Sequence, residues 1–529
     1  MDVHCDYVIV GTGSAGSVLA SRLSADPATA VVALEAGPRD TNRFIGIPAA
    51  FSKLFRSEVD WDYLTEPQKE LNGREIYWPR GKVLGGSSSM NAMMWVRGFG
   101  ADYDEWAERA GPEWSYAQAL SCFRRIENIT AAWHFVSGED SGVTGPLYVS
   151  PLRSPRSWTA AWLTASRECG FSPQHPNSAL PEGFCETVVT QRRGARWSAA
   201  DAYLKPAMRR RNLSVLTMAT ATRVVFDGTR AVGVEFEQAG QRGVVYAHRE
   251  VVLCGGAVNS PQLLMLSGIG DRDHLDDHGI DTVYHAPEVG QNLLDHLVTP
   301  LGVEVTDDTL FGAEKPRQLA DYLLRRRGML TSNVGEAYGF VRSRPELDLP
   351  DLELIFAPAP FYDEGLLTEP PGHGVVFGPI LLKPRSRGQV ALRSADPHAK
   401  AIIDPRYLTD PGGADRAAMM AGLRICARIA EAPALKGLLG AIARPRGATE
   451  WNEATFEEAL NTCSHTLYHP VGTCRMGTDA ASVVDPQLRV RGVDGLRVAD
   501  ASVMPTIIRG HTHAPSLFIG EKAADLISS

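Results

Sequence analysis

Asp6-Tyr7-Val8-Ile9-Val10-Gly11-Thr12-Gly13-Ser14-Ala15-Gly16 opens the chain with a short apolar run that breaks into glycines. Five residues without polar alternation read as a buried parallel strand, and the glycines as a tight turn. Residues 17–24 read as a helix, with Val18, Leu19 and Leu23 apolar, and Val31-Val32-Ala33-Leu34 as the next strand, ending at Glu35. The G-x-G-x-x-G spacing between strand and helix, with an acid closing the following strand, is a dinucleotide-binding pattern. Gly11 permits the turn, Gly13 lets backbone amides approach a pyrophosphate, and Gly16 lets helix and strand pack closely, while the helix N-terminus favours the anion. Glu35 can accept both ribose hydroxyls and disfavours a 2′-phosphate, which leaves NAD and the ADP half of FAD open. A glycine turn that holds nothing is the bland alternative, and the coincidence of strand, helix and acid outweighs it.

Outward from this unit the alternation continues. Strand-like runs recur at Val215-Leu216, Arg223-Val224-Val225-Phe226, Val232-Gly233-Val234-Glu235-Phe236 and Glu250-Val251-Val252-Leu253, then at Leu496-Arg497-Val498-Ala499-Asp500, with a closing helix over residues 516–527. This is the order of a doubly wound α/β sheet. Residues 67–98 interrupt it with a loop rich in small residues, too long for an ordinary connection and of the kind that carries function. Between about residues 300 and 460, alternating segments such as Leu352-Glu353-Leu354-Ile355-Phe356 and Gly388-Gln389-Val390-Ala391-Leu392 suit antiparallel strands and a second domain.

Composition narrows the class. The 529 residues exceed one ordinary core, so two packed domains are expected. Apolar residues at 44% and charged residues at 22% argue against disorder. A net charge of −9 without long basic runs argues against nucleic acid, and Arg209, Arg210 and Arg211 read as solvated surface. Eight cysteines without regular spacing suggest free thiols in a reducing compartment. The first strand begins too early for a signal peptide, and no apolar stretch approaches about 18 to 20 residues, so a cytoplasmic protein without a membrane span is expected.

Four further segments carry a resemblance. Gly81-Lys82-Val83-Leu84-Gly85-Gly86-Ser87-Ser88-Ser89-Met90-Asn91 and Gly256-Ala257-Val258-Asn259-Ser260-Pro261-Gln262-Leu263-Leu264-Met265-Leu266-Ser267-Gly268-Ile269-Gly270 resemble the two signatures of the glucose-methanol-choline oxidoreductases. Val289-Gly290-Gln291-Asn292-Leu293-Leu294-Asp295-His296 and Tyr468-His469-Pro470-Val471-Gly472-Thr473 are similar to two more family segments, so the likeness runs nearly end to end. It implies a Rossmann-like FAD-binding domain, residues 1–155, 195–300 and 462–529, and an α+β substrate-binding domain on an antiparallel sheet, residues 156–194 and 301–461. It implies FAD contacts at Gly11, Thr12, Gly13, Ser14, Ala15, Gly16, Glu35, Ala36, Val83, Gly86, Ser87, Asn91, Ala92, Met93, Val224, Asp500, Ala501 and His511. Consecutive small residues in the first signature suit such contacts, because backbone amides can reach a phosphate or ring unobstructed. Some choline-oxidising members carry a flavin-linked histidine where this chain has Met90, so noncovalent FAD is expected.

In the family, a base takes the hydroxyl proton of an alcohol while hydride passes to flavin N5. The base position maps to His469, and the partner position, an asparagine in many members, maps to His511 in Gly510-His511-Thr512-His513-Ala514-Pro515. An imidazole suits proton transfer near neutral pH. Two imidazoles in contact titrate together, so the sequence leaves open which ring of the pair is the base and which the hydrogen-bond partner. His296, His465 and His513 are read as structural. Two other readings stand beside the enzyme: a Cys463, His465, His469, Cys474, His511 and His513 metal cluster, disfavoured by Pro470 and by the flavin signatures, and a non-catalytic flavin sensor, which would not need the histidine pair. No metal is expected. Val298 stands where choline-oxidising members place a glutamate, so a neutral primary alcohol is expected over choline, and Tyr338, Phe356, Phe361 and Tyr362 are candidates for an apolar pocket. Oxygen, a quinone and a protein carrier are all candidate electron acceptors, with a dehydrogenase preferred over an oxidase.

Overall fold

A computed structural model describes residues 2–129, 141–366 and 372–528. The strand Asp2–Val10 lies at the centre of a seven-stranded sheet. Its apolar residues Val8 and Ile9 are buried, as a strand covered on both faces requires. Val31–Glu35 pairs with it in parallel on one side and is flanked by Leu213–Thr217, also parallel. On the other side runs the long strand Gln241–Leu253, whose C-terminal end takes Leu496–Val498 in parallel. The N-terminal half of that long strand instead pairs antiparallel with Arg230–Gln238, which pairs with Ala219–Asp227. The expected α/β sheet is therefore doubly wound in its parallel part, with an antiparallel ribbon attached.

The first helix spans Ser14–Leu23, three residues earlier than the apolar pattern suggested, because its first turn is the second half of the glycine motif. It packs on the closing helix His513–Ser528 at Gly520, where a Cβ would come within 3.0 Å of Ala15 Cα and Val18 Cβ. Only a missing side chain allows the two helices so close.

The second sheet has eight strands and is antiparallel throughout. Its main path runs Ile442–Arg444, Leu301–Glu304, Gly374–Leu381, Leu352–Ala357, Ala337–Val341, Gly183–Glu186. Gly374–Leu381 is buried along its whole length, with the helix Ala414–Ala430 against it. Along Leu352–Ala357 the pleat sends Leu352, Leu354 and Phe356 into the core, where Phe356 stacks on Trp162 with centroids 5.0 Å apart, and Glu353, Ile355 and Ala357 to the opposite face. Gln389–Ala391, expected in this sheet, instead forms a separate ribbon with Ile402–Asp404. Two short strands, Leu297–Val298 and His465–Thr466, pair with each other and join the same sheet through Gly374–Leu381. That pairing brings His296 beside His469, 173 residues on in the chain.

Candidate active site

Between the two sheets lies a cavity of about 480 Å³, walled at one end by glycines and at the other by histidines. At the glycine end three helices present their N-termini to it: Ser14–Leu23, Gly256–Leu266 and His513–Ser528. Unpaired amides and aligned peptide dipoles make such a convergence an anion site. Gly11 has φ +98°, and a Cβ on it would fall 2.5 Å from the Cys254 carbonyl oxygen. Gly86 has φ +53°, and a Cβ there would fall 2.7 Å from Gly13 Cα, so the two glycine turns touch and form one smooth wall. Glu35 is buried at the rim, its Oε2 accepting from Thr12 N and Oγ1 (3.0 and 2.7 Å) and its Oε1 from Gly37 N (2.9 Å). Burial pushes its carboxyl up against these donors. Asp500 accepts from Gly256 N and from Ser260 Oγ (2.8 and 2.6 Å), which fixes the start of the second helix. Amides, small residues and buried acids in one long cleft fit a dinucleotide with two phosphates.

Midway along, Asn91 accepts at Oδ1 from Arg196 Nη1 (2.7 Å) and Met93 N (3.0 Å), leaving its amide NH₂ as the free group. Arg80 donates to Ser87 Oγ and to the Tyr468 carbonyl (2.6 Å each), tying the first flavin signature to the histidine segment.

At the far end His469 and His511 lie nearly perpendicular with ring centroids 4.8 Å apart. His469 follows Tyr468, whose φ of +67° is left-handed. The turn is held there by Asp295, which accepts from His469 N at 2.8 Å, from Thr466 Oγ1 at 2.6 Å and from Tyr407 Oη. Burial raises Asp295 to about 6 against those donors. His296 Nε2 faces the Leu382 carbonyl oxygen at 3.0 Å, and its Nδ1 faces His469 Nδ1 at 3.0 Å.

These contacts settle the tautomers. A carbonyl can only accept, so His296 carries its proton on Nε2. Burial lowers His296 to about 3, so the ring is neutral and its Nδ1 can only accept. His469 must then donate from Nδ1. Burial, then His511 and His296, hold His469 well below its ordinary value, so it too is neutral and its Nε2 is a bare lone pair. His511 donates from Nε2 to Glu353 Oε1 at 3.0 Å, and the other oxygen of that buried carboxylate has no partner among the described residues.

Of the residues expected at the cofactor, Gly11, Gly13, Ser14, Ala15, Glu35, Ala36, Gly86, Ser87, Asn91, Ala92, Met93, Asp500, Ala501 and His511 line this one cavity, as does His469. Four do not. Thr12 turns inward to Glu35, Gly16 sits against the Gly11 carbonyl oxygen, and Val83 packs into a core cluster. Val224 is also buried in the core, its amide bonded to Ser267 Oγ (2.8 Å), and Ala219, Thr220 and Ala221 of the same strand wall the cavity in its place. Of the four pocket aromatics only Phe361 reaches the cavity, joined by Phe51, Phe55, Trp61, Ile355 and Val376. Phe356 faces the core because Ile355 and Ala357, one step away in the pleat, take the cavity side. Val298 lines the cavity, and so do His465 and His513. Arg80, Arg196 and Glu353 carry no expectation in the sequence, Asp295 enters it only within a family segment, and His296 is read there as structural. The pattern carries no signal for Arg196 or Glu353, whose roles depend on residues about 105 and 158 positions away. Among the described residues no group of three or more His, Cys, Asp or Glu is placed to hold a metal ion, and no helix is long and apolar enough to cross a membrane.

The fold and site define a two-sheet oxidoreductase with a dinucleotide cleft ending in paired imidazoles. Family models described as GMC oxidoreductase match residues 5–298 and 384–520, and the chain belongs to that family of FAD-binding flavoproteins. It is 80% identical, over all of both chains, to an uncharacterized GMC-type oxidoreductase of Mycobacterium tuberculosis. It is 43% identical to an alcohol dehydrogenase (acceptor) of Pseudomonas putida, over 99% of this chain and 95% of that one. Among solved structures it superposes on a pyridoxine 4-oxidase from Mesorbium loti with a TM-score of 0.88 at 32% identity, covering 98% of each chain.

Proposed function

We propose that this chain oxidises a neutral primary alcohol to the aldehyde, with His469 Nε2 taking the hydroxyl proton. The observation that carries the reading is the tautomer chain from the Leu382 carbonyl through His296 to His469, which leaves a bare nitrogen lone pair at the wall of the cavity. FAD, held noncovalently along the glycine and Asn91 walls, supplies the acceptor for the hydride that leaves the alcohol carbon. Proton and hydride depart from adjacent atoms, so the pair must be held together, and the clamp of Asp295 on the His469 turn does this for the base. His511 holds the alkoxide as it forms. Glu353, 3.0 Å from its Nε2, fixes that ring at the cavity wall. The hydrophobic wall of Phe51, Phe55, Phe361 and Val376, with Val298 in place of an acid, suits an apolar alcohol and gives a quaternary ammonium no ion partner. The division into an FAD-binding unit (1–155, 195–300, 462–529) and a substrate-binding unit (156–194, 301–461) belongs to the same proposal, as does a dehydrogenase passing electrons to an acceptor other than oxygen.

The test is anaerobic mixing of the yellow protein with a panel of aliphatic and aromatic alcohols and choline, followed by admission of air. The expected result is bleaching by a neutral alcohol well ahead of choline, slow recovery in air, and release of the flavin into solution on acid denaturation. A flavin-loaded protein that no alcohol bleached would overturn the reading in favour of a sensor.

A further inference from the structure

The helix Pro316–Arg325 is amphipathic, yet it faces the wrong way for a helix of a soluble domain. Its one buried residue is Tyr322, and Leu319, Leu323 and Leu324 stand 41%, 60% and 83% exposed. Leu324 is the most exposed large apolar side chain among the described residues. Around the leucines positive charge predominates. Residues 314–327 hold five cations against two carboxylates in a chain whose net charge is −9. Both carboxylates are already engaged, Glu314 by Lys53 at 2.7 Å and Asp321 by Arg325 at 3.5 Å. Lys315, Arg317, Arg326 and Arg327 are exposed beside the leucines. Arg43 joins them across Phe44, whose ring lies 4.8 Å from the Arg43 guanidinium and 6.0 Å from the Lys53 ammonium.

We propose that this face is a docking surface for an anionic lipid bilayer. Leucines flanked by arginines match the two layers such a surface presents, an acyl boundary below a sheet of negative headgroups, and a net positive patch on an acidic protein would orient the molecule as it approaches. A protein partner or a second copy would need a shaped complement, whereas a bilayer asks only for protruding apolar side chains with cations around them. The helix rests on the wall of the cavity. Tyr322 Oη donates to the Gly46 carbonyl at 2.7 Å, and the segment 46–55 beneath carries Phe51 and Phe55, which line the cavity. A docked molecule would therefore hold that wall beside the lipid, where an apolar alcohol or a lipid-soluble acceptor concentrates. The binding itself does not rest on the proposed reaction.

The experiment is cosedimentation of the flavin-loaded chain with vesicles rich in phosphatidylglycerol and with vesicles of phosphatidylcholine alone. Binding is expected to the first and not the second, weakening as salt is raised. The double variant Leu323→Glu/Leu324→Glu and the charge variant Arg317→Glu/Arg327→Glu should each bind at least about tenfold more weakly. Both should keep their flavin, their circular dichroism and their rate with a water-soluble alcohol, because none of these residues lines the cavity. Absence of binding to either vesicle, equal binding to both, or undiminished binding by the leucine variant would overturn the proposal. A wild-type dimer that the leucine variant converts to monomer, with no vesicle binding, would assign the face to a second copy.

Discussion

At the glycine end of the cavity the working groups are backbone amides, delivered by turns and helix starts from residues 11–15, 86–88 and 256–258. At the histidine end they are four side chains and one backbone carbonyl, brought from five separate places: His296, Glu353, Leu382, His469 and His511. The first end depends on what is missing, since a Cβ at Gly11 would collide with the Cys254 carbonyl. The second depends on what is present and how it is turned, since one proton on the wrong nitrogen of His296 would leave His469 without its lone pair on the cavity side. An amide cradle tolerates almost any change except bulk, and a tautomer chain tolerates almost any change except of donor and acceptor order.

The strongest way to break this contrast is at the glycine end. Gly11→Ala puts a methyl at 2.5 Å from a carbonyl oxygen in a backbone conformation alanine avoids. It should purify with flavin occupancy down by about tenfold or more, if it folds at all, read from the visible flavin band per chain. His469→Ala should do the opposite, keeping its flavin while the anaerobic reduction rate falls by about 10²- to 10⁴-fold. An unchanged rate would remove His469 from the chemistry.

A smaller effect sharpens the claim about tautomers. His296→Leu removes the acceptor for His469 Nδ1 without touching the cavity, and should lower kcat roughly 10- to 100-fold with little change in KM. His296→Gln can donate to the Leu382 carbonyl and accept from His469 at once, so it should recover most of that loss. Equal damage from both variants would reduce His296 to a packing residue.

The smallest effect is on stability. Burial holds His296 at about 3 and His465 and His513 at about 4, against an ordinary 6.5. As pH falls below 6.5 the unfolded chain takes up these protons first, so stability present above that value is lost progressively toward 4. Asp295, raised from 3.8 to about 6, has the opposite sign: its contribution is full below 3.8 and fades as pH rises through 6. Other buried acids are raised too, Glu364 to about 8, so the check is a difference: as pH falls from about 6.5 to about 4, His296→Gln should lose less melting temperature by calorimetry than the unsubstituted chain.

How legible each end was follows from the same contrast. The Gly11 to Glu35 unit could be read because its meaning is local: strand, turn, helix and acid lie within one short stretch, and an unbroken apolar run gives way there to glycines and a helical pattern. His469 and His511 were legible only through a resemblance, since a lone histidine in a sequence says nothing of what faces it. Val224 and Phe356 show the limit within single strands. Each lies on the right strand, but Val224 sits three residues beyond the Ala219 to Ala221 stretch that walls the cavity, and the pleat turns Phe356 away while Ile355 faces it. Which face of a strand is covered is decided by the layers packed on it, and alternation in the sequence is silent when both faces are apolar. His296 was set aside as structural for the same reason. Its role exists only because Leu297–Val298 pairs with His465–Thr466.

By itself, then, the sequence determined the doubly wound sheet, the nucleotide cradle and, through its family segments, the two imidazoles and the flavin class. These are properties of chain-local geometry, where a glycine or a period carries its consequence within a few residues. Only the tertiary structure decided which groups lie behind each imidazole, His296 and Leu382 behind His469 and Glu353 behind His511, and that the leucines of Pro316–Arg325 face outward. Proton placement and burial are set by whichever groups lie across the gap, and those neighbours are chosen by strand pairing over more than a hundred residues.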